Sequence, residues 1–288
     1  MSSFDLQGAT AVVTGASRGI GPHIAATLVK HGMRVGLVAR SRPELEMVAQ
    51  ELRHGGAAVV PVVGDVTSSD DRHRIIEAVE HQFGPVDVLV NNAGGDAQRQ
   101  FHNLTEADLV GIIDLNLTSA VILSHIVLPG MLSRGRGHIV NVSSMAGRTS
   151  FPFTEAYAAA KDGMIAFTRV LRADYRRAGV SASTMILGPV REAGVGARTS
   201  EEMGTRVPRA VSVSPAQIGR ATVKAVRKDK AELVLVPGPG KALRAMMDRF
   251  PGLGPAMNRA GGAEKTMRAV ADHREGQVNP GDATPLAS

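Results

Sequence analysis

Short apolar runs alternate with longer amphipathic segments over the first two-thirds of the chain. Ala9–Thr14, Arg34–Ala39, Ala58–Val63, Val86–Asn91, His138–Ser143 and Ser181–Leu187 are rich in Val, Ile, Leu and Ala with little polar alternation. That is the pattern of strands covered on both faces. Between them, Arg18–His31, Pro43–His54, Ser69–Phe83, Thr105–Ser133 and Glu155–Ala178 place apolar residues at helical spacing. Repeated strand–helix units of this size require parallel strands joined by right-handed crossovers. The expected fold is therefore α/β: a doubly wound, open parallel sheet with helices on both faces.

Beyond Gly188 the regularity weakens. Arg191–Val213 reads as a loop with one short helix, Pro215–Lys228 as a helix, and Glu232–Val236 as a last strand that brings the sheet to about seven. Pro237–Gly240 is a hard break. One domain is thus expected over residues 1–240, with a helical carboxy-terminal extension over 241–275 packed on it. Met246, Met247, Phe250, Leu253 and Met257 would be its apolar anchors. From Gly261 the chain turns small and polar, and 276–288 reads as a disordered tail.

Composition narrows the function classes. There is no Cys, which excludes disulfides, thiolate metal sites and thiol nucleophiles, and no metal site is expected. The amino terminus lacks the basic and apolar regions of a secretory signal, and no uninterrupted apolar run is long enough to span a bilayer. A soluble, cytoplasmic protein is the expectation. The net charge is +6 with most of the excess late in the chain, but no basic block with interleaved aromatics accompanies it. Neither nucleic acid nor membrane is an expected partner.

In such sheets ligands bind at the carboxyl ends of the strands. There the first apolar run ends in Thr14-Gly15-Ala16-Ser17-Arg18-Gly19-Ile20-Gly21. Glycines allow close approach of a backbone to a bulky group, and a helix N-terminus offers free N–H groups to a pyrophosphate. Gly15, Ser17, Arg18, Gly19, Ile20 and Gly21 are therefore candidate dinucleotide-binding residues. At the end of the second run, where an acidic residue would favour NAD, the chain has Ala39-Arg40. Arg18 and Arg40 together can clamp a 2′-phosphate, so NADP(H) is the expected cofactor. Asp65, with Val66 beside it, is placed to accept from the adenine amino group.

Tyr157 and Lys161 stand four residues apart on one helical face. A neighbouring ammonium should lower the Tyr pKa and fit it to transfer a proton near neutral pH. Ser144, at the end of the fifth run, can hydrogen-bond a carbonyl oxygen as charge develops there; the adjacent Ser143 should point the other way.

With these residues in order, the chain strongly resembles the short-chain dehydrogenase/reductase family. The resemblance rests on Thr14–Gly21, Asn91-Asn92-Ala93-Gly94, Asn116, Ser144, Tyr157 and Lys161. It implies a Rossmann-type sheet of seven strands, with Asn92, Ala93 and Gly94 lining the cofactor cleft. Tyr157 and Lys161 would touch the cofactor as well as the substrate, Lys161 through the nicotinamide ribose. Asn116 would hold a water linking Lys161 to solvent. The implied reaction is NADP(H)-dependent interconversion of a ketone and a secondary alcohol by a homodimer or homotetramer, and Phe151 and Phe153 near Tyr157 favour a small, hydrophobic molecule as substrate. Dehydration or epimerisation of a natural-product intermediate on the same fold, and non-catalytic NADP(H) binding, are the alternative readings.

One segment departs from the family pattern. Where Pro-Gly-x-x-x-Thr is usual after the sixth strand, this chain reads Leu187-Gly188-Pro189-Val190-Arg191-Glu192. Gly188 and Val190 remain candidate cofactor contacts. Glu192 is an unfavourable neighbour for a diphosphate unless it turns away or pairs with Arg191 or Arg198.

Overall fold

A computed structural model describes residues 4–149, 151–202, 204, 207–237, 249–250, 252 and 263–276. The expected strands form, at Thr10–Thr14 (β1), Arg34–Ala39 (β2), Val59–Val63 (β3), Val88–Asn91 (β4), Gly137–Ser144 (β5), Val180–Leu187 (β6) and Glu232–Leu235 (β7). All pair in parallel in the order β3-β2-β1-β4-β5-β6-β7. The order reverses between β1 and β4, which opens a crevice at their carboxyl ends.

Helices α1 (Gly21–Lys30), α2 (Arg42–His54) and α8 (Pro215–Arg227) cover one face, burying Ile24, Leu28, Leu45 and Ile218 against β1, β2 and β6. Helices α3 (Ser69–Phe83), α5 (Ser119–Ser133) and α6 (Glu155–Tyr175) cover the other, with Ile75, Leu123, Met131 and Leu171 in that core. Local chemistry fixes several starts. Ser214 and Gln217 form a reciprocal cap before Pro215, and Thr105 and Asp108 do the same at the start of α4 (Glu106–Ile113).

Three differences from the sequence pattern bear on function. The first helix starts at Gly21, because Arg18–Ile20 are spent on the turn: Gly19 takes φ +66°, and Pro22 occupies the first helical turn. The long helical stretch is broken by a π-turn, Asp114–Thr118, which carries Asn116. Glu106–Ser133 as a whole is long and apolar enough to cross a bilayer by length and composition, but 44% of its most apolar window is buried in this fold. Finally, the helix described in the expected helical extension lies at Ala263–Glu275, termed α9 here, in the small, polar stretch after Gly261. Of the proposed anchors, Phe250 is exposed, and Met246, Met247, Leu253 and Met257 lie outside the described residues, as does 277–288.

A hydrogen-bonded ladder runs through the second core. The Asn91 amide of β4 donates to Ser124 Oγ of α5 (3.2 Å) and to Asn141 Oδ1 of β5 (2.8 Å). Asn141 in turn donates to Thr168 Oγ1 of α6 (2.8 Å), whose hydroxyl donates to the Met164 carbonyl.

Candidate active site

The turn after β1 has the geometry of a phosphate cradle. Gly15 and Gly19 have φ of +65° and +66°, and a Cβ on Gly21 would fall on the Gly15 carbonyl. Opposite, Asn92 donates from its amide to the Thr14 and Gly15 carbonyls (2.8 and 3.2 Å). The Thr14 hydroxyl accepts from the N–H groups of Asn92 and Ala93, both at 3.0 Å. Asn92 thus braces the turn.

From this turn a cavity of about 1130 Å³ runs across the carboxyl edge of the sheet. Gly15, Ser17, Arg18, Gly19, Ile20, Arg40, Asp65 and Val66 line it at one part, and Asn92, Ala93, Gly94, Ser144, Tyr157, Lys161, Gly188 and Val190 line it elsewhere. Of the residues singled out from sequence, Gly21 and Asn116 stand behind this wall. Arg40 and Asp65 approach to 3.9 Å, and Asp65 also accepts from the Thr67 N–H and hydroxyl. The helix-capping role next door belongs to Ser68.

Helix α6 and strand β5 set the chemical end. Ser143 points inward and donates to the Lys161 carbonyl at 2.8 Å, which leaves Ser144 facing the cavity. Lys161 is buried and its Nζ donates to the Val142 carbonyl at 3.1 Å. Burial lowers its pKa to about 8. The same ammonium stands over the Tyr157 ring, 5.5 Å from the centroid. Asn116 fixes Gly95, donating to its carbonyl at 2.7 Å and accepting from its N–H at 3.2 Å, and also donates to the Ile112 carbonyl. The side chain expected to hold a water is thus taken up by the backbone. Gly94 is pressed against this pair: a Cβ there would lie 2.7 Å from Asn116 Oδ1 and 3.1 Å from Lys161 Nζ.

The lowered Tyr157 pKa expected from the Tyr–Lys spacing is not what the cofactor-free chain shows. Tyr157 lines the cavity wall and is partly buried, and desolvation raises its pKa. The nearby Asp96 carboxylate raises it further, while a hydrogen bond with Ser144 acts in the other direction. Lys161 meets the ring rather than the hydroxyl.

Asp96 had no signal in the sequence beyond its place after Asn91–Gly95. Glu192, flagged as a departure, adopts φ +66°, is 67% exposed and lies 3.9 Å from the Arg191 guanidinium. It lines the same cavity as the turn glycines and stands beside Arg191, one of the two arrangements expected of it. The side chain of Arg198 lies outside the described residues.

Loop residues Gln98–Gln100, helix α7 (Gly194–Glu202) and α9 form a roof. Arg274 of α9 donates to the Ala97 carbonyl, to Gln98 Oε1, to Thr199 Oγ1 and to Glu202. Glu275 pairs with Arg99 at 2.8 Å and accepts from the Gln100 N–H. Lys265, Met267 and Val270 line the cavity from this helix.

Comparison with known proteins agrees with this geometry. Residues 9–203 match the family model described as short chain dehydrogenase. The chain is 32% identical over 237 residues to the ketoacyl reductase HetN of Nostoc sp. strain PCC 7120, covering 81% of this chain and 80% of that protein. It is 36% identical over 187 residues to an acetoacetyl-CoA reductase of Allochromatium vinosum, covering 64% of this chain and 75% of that one. Among solved structures, it is similar to an actinorhodin polyketide ketoreductase with NADPH (TM-score 0.72, 29% identity, 82% of this chain and 97% of that one). It is also similar to a metagenomic short-chain oxidoreductase in complex with NADP (TM-score 0.69, 31% identity, 82% and 100%). With the glycine turn, the Arg-bearing end of β2 and the Ser144–Tyr157–Lys161 wall in one cavity, the chain belongs to the short-chain dehydrogenase/reductase family and is an NADP(H)-binding oxidoreductase.

Proposed function

We propose that this enzyme reduces a ketone to a secondary alcohol, or runs the reverse reaction, with Tyr157 as the proton-transfer residue. The observation that carries the reading is the convergence of Ser144, Tyr157 and Lys161 on the cavity that also contains the Gly15–Gly21 turn. Bound NADPH supplies the hydride. The chain supplies placement and the proton. Arg18 and Arg40 hold the 2′-phosphate end, and the α1 N-terminus faces the diphosphate. Ser144 donates to the carbonyl oxygen as charge builds there. Tyr157, kept protonated through neutral pH by burial, gives that oxygen its proton. Lys161 then faces the phenolate left behind and stabilises it. Asn116 acts as a positioning residue by fixing Gly95 against Gly94.

Phe151, Leu187, Val190, Met267 and Val270 give the cavity apolar wall, which supports a hydrophobic ketone as substrate. The names of the ketoacyl, acetoacetyl-CoA and polyketide reductases among the similar proteins support a ketone on a longer chain. Val110 of α4 and Val170 of α6 are 52% and 59% exposed, which supports a homodimer or homotetramer through these helices, and a cytoplasmic enzyme is part of the same reading. The test is NADPH oxidation against a panel of hydrophobic ketones. Tyr157→Phe should lower kcat by about 100-fold to 10,000-fold while NADPH affinity stays near that of the wild type. Full activity in that variant would remove Tyr157 from the mechanism.

A further inference from the structure

Asp96 is a buried carboxylate that the mechanism above does not use. It follows Gly95 on the segment that Asn116 fixes, is 3% exposed, and lines the same cavity as Tyr157. Its carboxylate accepts from the backbone N–H groups of Gln98 and Ala97, which builds the tight turn holding Gln98 at φ +48°. That local role needs one oxygen. The other, Oδ2, is buried with no hydrogen-bond partner. Buried polar atoms are nearly always paired, and a persistent exception calls for a specific cause. Strained backbone next to it belongs to the same pattern, since such conformations gather at ligand-binding sites.

The neighbouring polar groups do not serve Oδ2. Arg274 is spent on Ala97, Gln98, Thr199 and Glu202. Thr199 donates to Gln98 Oε1 at 2.8 Å, and Gln98 Nε2 meets the Met267 sulfur at 3.6 Å. These groups satisfy one another and form a fixed polar rim. Asp96 leaves one buried, unpaired oxygen in the wall of a cavity that Phe151, Met267 and Val270 also line with apolar surface.

We propose that Asp96 is a specificity-determining residue that hydrogen-bonds a hydroxyl group carried by the substrate close to its reacting carbonyl. The preferred substrate is then a hydroxyketone and the product a diol. This assignment rests on the ketone-reducing reading given above. Closeness to the reacting carbon follows from electrostatics: Asp96 is near enough to Tyr157 for its charge to disfavour the phenolate. The choice of hydroxyl follows from the carboxyl itself. Burial brings the Asp96 pKa to about 7, against the opposing effects of the Gln98 and Ala97 N–H groups and Arg274, with Glu155 adding to the rise. Both protonation states therefore occur near neutral pH. A hydroxyl donates to the carboxylate and accepts from the acid, whereas an ammonium group pairs only with the carboxylate.

The experiment compares a plain hydrophobic ketone with its α-hydroxy, β-hydroxy and β-amino analogues. Two readouts are taken on the full chain: kcat/KM with NADPH, and calorimetric binding of each ketone to the NADP⁺ complex, where no turnover occurs. Wild-type protein should favour one hydroxyketone over the plain ketone by about 10-fold or more in both readouts. Asp96→Ala should bring that ratio close to one, and Asp96→Asn, which keeps a hydrogen-bonding group and the shape, should retain most of it. Equal ratios in wild type and Asp96→Ala, or a preference for the amino analogue, would overturn the proposal. If no ketone is reduced, the reaction assignment fails on its own, and the calorimetric ratios still decide the role of Asp96.

Discussion

The ammonium of Lys161 stands over the ring of Tyr157, 5.5 Å from its centroid, rather than beside its hydroxyl. The pair is therefore a cation–π contact between a buried Lys161 and a partly buried Tyr157 in the cavity wall. Burial raises the Tyr157 pKa above its ordinary value of 10.0. Titration of the free protein followed by tyrosinate absorbance should give the same curve for wild type and Tyr157→Phe up to about pH 10. If the substitution removed half of the tyrosinate signal in that range, the hydroxyl would be far less enclosed than described.

The 2′-phosphate clamp proposed above lies partly at the end of β2. Arg40 lies 3.9 Å from Asp65 and is 54% exposed along its side chain, so it can leave that weak pair to meet a phosphate. Arg40→Asp should weaken NADPH binding by about 10-fold to 100-fold, since a charge-assisted contact is lost and a repulsive one appears. NADH should be affected far less. Comparison of the two dissociation constants by cofactor fluorescence checks this, and an unchanged ratio would exclude Arg40 from the clamp.

Asp96 also leaves a mark on stability. Its folded-state pKa of about 7 lies above the value of 3.8 it takes when unfolded. The folded chain therefore binds the extra proton, and the associated stability is complete below pH 4 and lost as pH rises to about 7. Asp96→Asn, which cannot ionise, should raise Tm at pH 8 and change it little at pH 4, with a difference of roughly 2–4 kcal/mol between the two conditions. Thermal unfolding at both pH values measures it. A variant destabilised more at pH 8 than at pH 4 would reverse the sign and exclude the burial argument.

His138 acts in the opposite sense. Burial lowers its pKa to about 4, and its Nε2 lies 2.7 Å from the Ser183 hydroxyl. The unfolded chain takes up a proton first, so the stability tied to the neutral ring is complete above pH 6.5 and is lost as pH falls toward 4. In the Asp96→Asn background, where the opposing contribution is gone, the fall in Tm between pH 7 and pH 4.5 should be steeper than in wild type. A slope equal to that of wild type would count against the Asp96 titration, and a Tm that did not fall in the variant would count against that of His138.

Arg274 is the pin of the roof. Arg274→Ala removes donors from Ala97, Gln98, Thr199 and Glu202 at once, at a cost of about 1–3 kcal/mol, because the acceptors remain. Hydrogen exchange should accelerate chiefly over 263–275 and α7, with little change in the sheet. KM for the ketone should rise more than kcat falls. Uniform acceleration across the sheet would instead mean that α9 supports the whole fold.

Much of this architecture is legible in the chain itself. Strands buried on both faces need not alternate, so β1 and β2 declare themselves as Val- and Ala-rich runs, and the polar residues that follow them mark the ligand edge. Tyr157, Lys161 and Ser144 are readable because their spacing fits one helix face and one strand end. The roof was harder to place in sequence. Arg274, Glu275 and Asp272 look like solvated charges, and only the arrival of Arg99, Gln100 and Glu202 from distant segments makes them structural. Asp96 is silent for a similar reason: a carboxyl after a glycine pair reads as a loop residue, and its burial is created by α9 and α7 closing above it. Spacing places Tyr157 and Lys161 on a shared face but does not fix which part of the ring the ammonium meets.

The ladder from Asn91 through Asn141 to Thr168 has a bearing on how this enzyme can change over time. Oily contacts of Val and Ala tolerate small rotations of a helix, since one methyl can replace another. Donors and acceptors inside the core do not, because each must meet its own partner. The ladder therefore indexes α6 to β4 and β5 like a key in a keyway, and Tyr157 and Lys161 inherit that setting. Substitutions can accumulate in the roof and redirect the enzyme to new molecules while the reacting groups keep their bearing.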